Sequence, residues 1–303
     1  MTLAGPLDQL RARANAVPAP AMIMAAIFSV QLGAAMAAGL IGEIGALPTV
    51  AIRLAAAASV LVVVVRPSLR GRSGRDWAVM GALALALAGM NITFYQAIAR
   101  LPLGVVTTIE FLGPLGLAAA GSRRPKDLVA VVIAFVGVVA VSGALTTPLA
   151  GLDLVGIAFA VVAGGAWTAY IVGSRAVGQR WQQLDGLAVA MAIAAVIAVP
   201  PGALAAASVN VTPVHLAAGI LIGVLSSVVP YSLELIALRR IGTRVFGILM
   251  SLEPAVSALA GLVVLGQALT GFEVAGMALV VIASGVVLVD QRTTPVEEAA
   301  EIG

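Results

Sequence analysis

Long apolar stretches separated by short polar segments form the dominant pattern of this chain. A helix needs about 20 apolar residues to cross the hydrocarbon of a bilayer. By that measure the sequence predicts ten spans, at roughly 20–40, 47–65, 77–98, 101–121, 127–146, 152–173, 184–206, 214–237, 242–265 and 271–289. Residues 1–19 and the tail 290–303 lie outside them, and the tail is predicted to be disordered. The pattern therefore predicts an all-α integral membrane protein.

The basic residues divide unequally between the two sides of these predicted spans. With a cytoplasmic N-terminus, 15 of the 17 Lys and Arg residues lie on the inner side, while Arg100 lies outside and Arg53 within a span. Cytoplasmic loops of membrane proteins carry such an excess. A polar N-terminus followed by an apolar run also fits a signal peptide, but nine further spans favour a retained first helix. We therefore expect a multi-pass protein of the bacterial inner membrane with both termini cytoplasmic.

Composition excludes several kinds of chemistry. The 303 residues are 61% hydrophobic and 10% charged, against about 25% charged residues in soluble domains. Cysteine is absent and His215 is the only histidine, so thiol nucleophiles and histidine metal clusters are excluded. The one lysine, Lys126, follows Pro125 and cannot belong to a phosphate-binding loop of the Gly-Lys-Ser/Thr type. We expect no cofactor, metal or enzymatic activity, and gradient-driven transport remains.

The two halves of the chain resemble each other. Residues 94–121 align without a gap onto 234–261 at an offset of 140, with eight identities that include Arg100/Arg240 and Pro114/Pro254. Spans five and ten match at an offset of 148. Each half, 20–146 and 152–289, holds five spans, and since five is odd the second copy is inverted. Inverted repeats whose broken helices meet near the midplane are typical of secondary transporters.

Two acids accompany the prolines of this repeat. Glu110 lies one turn before Pro114, and Glu253 directly precedes Pro254. A carboxylate at membrane depth costs at least about 2.5–3.5 kcal/mol, and proline frees a backbone carbonyl. In the alignment the acids fall three residues apart, about 4.5 Å along a helix and about 60° around it. They fit either a proton-coupling pair facing one cavity or neutral side chains that cap the freed carbonyls.

Other polar residues within the spans leave alternatives open. Glu234, four residues after Pro230, fits either a pathway role or an ion pair with Arg239 or Arg240. Arg53 fits snorkelling, a glutamate partner or a substrate carboxylate. The remaining candidates for a cavity lining, each of which also fits ordinary interhelical hydrogen bonding, are Asn91, Tyr95, Trp167, Tyr170 and Tyr231, with Gln31, Thr93, Thr168 and Ser251 beside them. Asn91 and Tyr231 are equivalent positions of the repeat.

Two runs resemble the EamA branch of the drug/metabolite transporter superfamily, most closely its threonine/homoserine exporter type. They are IEFLGPLGLAAAGSRRPKD (109–127) and LSSVVPYSLELIALRRIGTRVFGILMSLEPAVSALAGLVVLG (225–266). The resemblance implies ten helices in two inverted five-helix repeats, and efflux of amino acids or related metabolites in exchange for protons. The glutamates and prolines named above fall on its motifs. One position departs, because Leu265-Gly266 is followed by Gln267 where the branch often has glutamate.

The expected function is export of a small zwitterionic metabolite. Glu253 and Glu110 are expected to share proton coupling and recognition of the substrate ammonium, with the carboxylate received by Arg53 or by a helix N-terminus. The expected partners are that small molecule, protons and the lipid bilayer, not nucleic acid. Efflux of hydrophobic cations is the alternative, although an aromatic content of 4% disfavours a cation–π cage. A non-transporting scaffold or sensor is a third reading and leaves the buried acids unexplained.

Overall fold

The computed structural model describes residues 17–101, 103–121, 125–141, 153–182, 184–250, 252–253, 255–256 and 270–283. Over these residues the chain is helical, with short turns and no strand. In chain order the helices are α1 (Ala19–Ile44), α2 (Ala46–Val65), α3 (Gly74–Ile98), α4 (Leu103–Gly121), α5 (Pro125–Val141), α6 (Leu154–Arg180), α7 (Asp185–Ala206), α8 (Pro213–Gly223), α9 (Val229–Leu238), α10 (Thr243–Met250) and α11 (Gly271–Ala283). A π-helical turn, Val224–Val228, connects α8 to α9.

Six segments of the described chain are long and apolar enough to cross a membrane. They are α1, α2, α3, α6, α7 and the continuous run Pro213–Leu238. Shorter apolar helices lie in α4, α5 and α11. The prediction of an all-helical, multi-pass membrane protein is confirmed. Ten spans in two inverted repeats stay a prediction, since much of predicted spans nine and ten lies outside the described residues.

The helix ends follow from local sequence. Gly45 alone separates α1 from α2, and its φ of 85° is a conformation that side chains other than glycine rarely adopt. At the start of α3, Ser73 and Asp76 bond each other's backbone N–H in a capping box. Thr212 and His215 form the same arrangement at the start of α8. These polar caps take up amide donors that a helix leaves without a partner.

The helices alternate in direction between two ends of the bundle. We call the end at which α1 begins the near end, and the end at which α1 stops the far end. The start of α6 lies at the far end, because Gly156 packs against Arg100 and Leu101, which directly follow α3. The last residue of α6, Arg180, donates a hydrogen bond to Asp76 at the start of α3. Helices α3 and α6 are therefore antiparallel along their whole length.

Glycines bring several helix pairs into backbone contact. A Cβ on Gly113 of α4 would overlap the Gly164 carbonyl oxygen of α6, and a Cβ on Gly164 would lie 2.8 Å from the carbonyl oxygen of Glu110. Gly33 of α1 packs against the π-turn in the same way, because a Cβ added to Gly33 would lie 2.8 Å from Ser226 Cβ. Small residues permit such approaches in membrane bundles, where dispersion forces and interhelical hydrogen bonds hold helices together. These contacts fix the helices that carry the buried polar residues.

Candidate functional site

Buried polar side chains from five helical segments meet inside the bundle. Apart from Thr49, whose hydroxyl bonds the Gly45 carbonyl at the start of α2, those that the described structure buries on α2, α3, α4, the π-turn and α9 are Arg53, Asn91, Glu110, Ser226, Ser227 and Glu234. Each has at most 8% of its surface exposed. Burial of charged and hydrogen-bonding groups at this density is costly in a membrane. We therefore treat this set, with the tyrosines and Gln31 that contact it, as the candidate site.

Arg53 forms the cationic part of the site. Its Nη1 donates to Tyr95 Oη at 2.8 Å and to Ser226 Oγ at 3.4 Å, and its Cζ lies 4.9 Å from the centroid of the Tyr95 ring. Arg53 Nε is buried and has no hydrogen-bond partner among the residues that the structure describes. Within the described residues no carboxylate oxygen lies within 4.0 Å of the guanidinium. The Arg53 side chain therefore neither reaches the membrane surface nor pairs with a described glutamate. Of the three alternatives, binding of a substrate carboxylate remains.

Tyrosines connect α3, α6 and α9 beside it. Tyr231 Oη lies 3.3 Å from Asn91 Nδ2, which also donates to the Leu87 carbonyl at 2.7 Å. The rings of Tyr231 and Tyr170 lie with centroids 5.3 Å apart. Tyr170 Oη donates to Glu234 Oε2 at 2.8 Å. The path from Asn91 to Glu234 thus passes through two hydrogen bonds and one ring contact.

Glu234 is 3% exposed and points into this network. In the described chain its hydrogen-bond partner is Tyr170, whereas Arg239 donates to the Trp181 carbonyl and Arg240 to the Val17 carbonyl. The ion pair with those arginines, one of the two sequence-based alternatives, is not formed.

Glu110 and Glu253 approach the site from α4 and from the segment after α10. Gln31 Nε2 of α1 donates to Glu253 Oε1 at 3.2 Å. Glu253 lies within electrostatic range of both Glu110 and Glu234. The Glu110 carboxylate has no hydrogen-bond partner among the described residues, and the side chain is 8% exposed. Glu253 therefore lies between the other two acids electrostatically, and like charges in a membrane interior repel each other.

The prolines near these acids have different neighbours. Pro114 frees the carbonyl of Glu110, four residues earlier, and Gly164 packs directly against that oxygen. In the π-turn the freed carbonyl is that of Leu225, five residues before Pro230, and Ser29 Oγ of α1 donates to it at 2.5 Å. The third predicted break, Pro254, lies outside the described residues, as do Ser251 and the Arg244 side chain.

The other candidates have simpler environments. Trp167 is 7% exposed and meets Phe111 edge to face, with centroids 4.8 Å apart. The hydroxyls of Thr93 and Thr168 donate to carbonyls of their own helices, at Gly89 and Gly164. These two threonines are therefore structural. Because Phe111 directly follows Glu110 in the sequence, this ring contact places Trp167 close to Glu110.

Sequence reasoning missed the serines that complete this site. Ser226 accepts from Arg53, and Ser29 takes the carbonyl freed by Pro230. A pair of serines four and three residues before a proline, inside an apolar span, is a signal for such a break. The contact between Gln31 and Glu253 joins segments 222 positions apart and has no local signal.

Comparisons with known proteins agree on one family. A family model described as "EamA-like transporter family" matches residues 154–289. The threonine/homoserine exporter RhtA of Salmonella typhimurium (strain LT2) is 38% identical over 266 residues, which cover 87% of this chain and 88% of the relative. RhtA of Escherichia coli (strain K12) is 36% identical over 282 residues, covering 91% and 94%. A solved crystal structure superposes with a TM-score of 0.76 at 22% identity over 90% of this chain and 98% of the other, which shows the fold alone.

Proposed function

Because the chain belongs to the EamA-like transporter family, we propose that it exports small amino acids of the threonine and homoserine type, or closely related metabolites, in exchange for protons. The family consists of transporters, so the chain is not an enzyme. Relatives named as threonine/homoserine exporters, at 36–38% identity over most of the chain, support the substrate class.

Three acids inside the bundle are the single observation that carries the coupling: Glu110 and Glu234 are buried and Glu253 is half-buried. Glu253 is within electrostatic range of Glu110 and Glu234, and three ionised carboxylates in a membrane interior repel each other. A proton on Glu253 or Glu110 relieves that repulsion, and so does the ammonium group of an amino acid. Proton and substrate therefore compete for the same oxygens, which is the requirement for antiport. The proposed binding site also includes the neighbouring side chains of the bundle interior, which are Arg53, Asn91, Tyr95, Trp167, Tyr170 and Tyr231.

The contacts support two inverted repeats, 20–146 and 152–289, within this architecture. Asn91 and Tyr231, equivalent at an offset of 140, hydrogen-bond to each other, as equivalent residues beside a twofold axis do. Arg100 lies 3.9 Å from Asp153 before α6, and its equivalent Arg240 bonds the carbonyl of Val17 before α1. Helix α6 begins at the far end, whereas α1 begins at the near end. These opposite starting ends support the proposed inversion of the second half.

A flux assay tests the coupling. The protein is reconstituted into proteoliposomes loaded with labelled L-threonine, and efflux is driven by an imposed pH gradient. We expect the double variant Glu110→Gln with Glu253→Gln to lose the response of flux to the gradient. The control Glu297→Gln with Glu298→Gln removes the same two charges from the C-terminal tail and is expected to behave as wild type. Gradient-driven flux that survives in the first variant removes the coupling role.

A labelling assay tests the orientation with a cytoplasmic near end. The chain has no native cysteine, so single cysteines report without background. Leu69 lies in the exposed turn between α2 and α3 at the near end, and Ser208 is exposed after α7 at the far end. In intact cells an impermeant maleimide is expected to label Ser208→Cys but not Leu69→Cys. The reverse pattern contradicts the proposed orientation.

A further inference from the structure

Arg53 is the strongest unexplained feature of the interior. Guanidinium groups buried to this extent are normally paired with a carboxylate, because desolvating the charge costs several kcal/mol. Arg53 is 5% exposed, and its hydrogen bonds go to two neutral hydroxyls. Three glutamates lie in the same core, yet none of the described carboxylates is within 4.0 Å of it. The bundle thus holds a positive and a negative group apart instead of letting them neutralise each other.

The geometry of Arg53 leaves one edge of the guanidinium unused. Both hydrogen bonds use Nη1, and no bond from Nε or Nη2 is formed to any described residue. The Nε/Nη2 edge carries two parallel N–H donors that match the two oxygens of a carboxylate. Tyr95, through its ring and hydroxyl, fixes the guanidinium from α3, and Ser226 fixes it from the π-turn. The Ser226 hydroxyl proton is itself donated to the Ile222 carbonyl at 2.6 Å, so its oxygen is free to accept.

We propose that the Nε/Nη2 edge of Arg53 binds the α-carboxylate of the transported amino acid, with Tyr95 and Ser226 as positioning residues. This inference rests on the proposed function and specifies how the substrate is oriented in the site. The substrate lies with its carboxylate towards α2 and the π-turn, and with its ammonium towards the acids of α4 and the segment after α10. Molecules that carry the ammonium but no carboxylate are poor ligands. Lysine does not replace Arg53, because it offers a point charge without the paired donors.

The test uses L-threonine and L-threoninol, which differ only in the carboxylate. In wild-type counterflow of labelled L-threonine, unlabelled L-threonine is expected to compete at least tenfold better than L-threoninol. Arg53→Gln is expected to abolish that preference, and Arg53→Lys to retain little of it. Tyr95→Phe is expected to raise KM for threonine several-fold while changing the maximal rate less. Thr93→Val, which removes a hydroxyl of α3 that bonds its own helix, is the control and is expected to keep the preference.

A stability measurement separates recognition from a structural role. Removing a buried charge without a carboxylate partner is expected to leave the thermal stability of the detergent-purified protein unchanged or higher in Arg53→Gln. L-Threonine is expected to stabilise the wild type and not this variant. A large loss of stability in Arg53→Gln, or equal preference for threonine and threoninol in the wild type, overturns the carboxylate site. Wild-type threonine flux alone decides the proposed function, and a wild type that neither transports nor is stabilised by threonine contradicts both.

A different observation concerns the two ends of the bundle. At the near end Arg180, the last residue of α6, lies 3.2 Å from Asp76, the third residue of α3. At the far end Glu43, next to last in α1, lies 2.8 Å from His215, the third residue of α8. Asp76 and His215 both belong to capping boxes. Glu43 and Arg180 are 137 positions apart in the sequence, and Asp76 and His215 are 139 apart. Both separations are close to the offset of 140 that aligns the halves, and the charges are exchanged between the two pairs.

We infer that these two pairs are latches, one for each end of the bundle, and that both are closed in this structure. The His215 ring bonds Glu43 even when neutral, because Nδ1 accepts the Thr212 N–H and the ring hydrogen is therefore on Nε2. Each end holds a second ion pair as well. At the near end Arg72 lies 3.7 Å from Asp185, and its Cζ is 4.3 Å from the centroid of the Trp181 ring. At the far end Arg100 lies 3.9 Å from Asp153, and its Cζ is 5.1 Å from the centroid of the Phe159 ring.

Distance measurements between spin labels test the latches without any substrate. Labels on Leu69→Cys with Gln182→Cys report the near end, and labels on Gly42→Cys with Ser208→Cys report the far end. Arg180→Gln is expected to increase the long-distance population at the near end about two- to fivefold, the effect of a part-exposed ion pair. Arg70 is exposed in the turn between α2 and α3 and forms no ion pair among the described residues. The control Arg70→Gln is therefore expected to have no effect. Identical distributions in these two variants overturn the near-end latch.

The far end permits an exchange of partners. Glu43→Gln is expected to increase the long-distance population there, and His215→Glu alone even more. In the double variant Glu43→His with His215→Glu the pair is restored, and Thr212 gains a glutamate at the third position of its capping box. The double variant is expected to return the far-end distribution to that of the wild type. If it resembles the single variants, the pair is not a latch.

Discussion

Two of the prolines within the described helical segments, Pro230 and Pro114, are accommodated differently. At Pro230 the backbone slips into a π-turn, and the hydroxyl of Ser29 takes the freed carbonyl of Leu225. At Pro114 helix α4 keeps its α-helical path, and the freed carbonyl of Glu110 rests against the backbone of Gly164. The first break is closed by a directed hydrogen bond, the second by close packing alone. A hydrogen bond resists displacement, whereas a packed glycine surface permits sliding, so we expect the π-turn to be the rigid element and α4 the mobile one.

The largest expected effect comes from the packed break. Gly113→Ala places a Cβ on the carbonyl oxygen of Gly164, and overpacking of this kind costs typically about 1–3 kcal/mol. We expect a strong loss of thermal stability and of flux. Gly116→Ala is the matched control on the same helix, because an added Cβ there meets nothing within 4 Å. Equal stability of the two variants, measured by thermal unfolding in detergent, contradicts backbone contact between α4 and α6.

Pro114→Ala sharpens the comparison through function. The new amide N–H bonds the Glu110 carbonyl, so thermal stability is expected to stay the same or to rise. If α4 must flex during transport, straightening it is expected to lower threonine flux about tenfold, a barrier change of about 1.4 kcal/mol. Wild-type flux in this variant shows that the break in α4 is dispensable.

Ser29→Ala tests the hydrogen-bonded break. It leaves the Leu225 carbonyl without its donor, and the expected destabilisation is about 1 kcal/mol. Ser59→Ala is the control, because Ser59 is exposed and its hydroxyl bonds the Ala55 carbonyl of its own helix. Thermal unfolding of both variants measures the difference, and none is expected for the control. A Ser29→Ala protein as stable as the control removes the distinction between the two breaks.

The smallest expected effect is a coupling between Ser29 and Pro230. In the double variant Ser29→Ala with Pro230→Ala, the amide of residue 230 becomes a donor within reach of the carbonyl that Ser29 served. We expect it to recover about half of the stability lost in Ser29→Ala, a coupling of about 0.5 kcal/mol, which a double-mutant cycle resolves. Additive losses show that the two groups do not share the Leu225 carbonyl.

Much of the helical architecture could be predicted from hydropathy, because span length is set by the bilayer. Predicted spans 47–65 and 184–206 agree with α2 and α7 within one residue at each end. The π-turn could not be predicted in this way, since the apolar run continues through it without a change in hydropathy. Internal similarity predicted a shared location for Asn91 and Tyr231, and the structure places them in contact. The partners of Arg53 and Glu253 depend on which helix faces lie together, and a single sequence does not encode that locally.

The contact between Asn91 and Tyr231 has an evolutionary consequence if the two halves arose by gene duplication. An ancestral dimer of identical halves would have carried the same side chain twice at this point. Two tyrosines there would compete for one volume, and two asparagines would leave it underfilled. One copy could therefore become large only where the other stayed small, and two identical copies do not supply the unequal pair that Asn91 and Tyr231 form here.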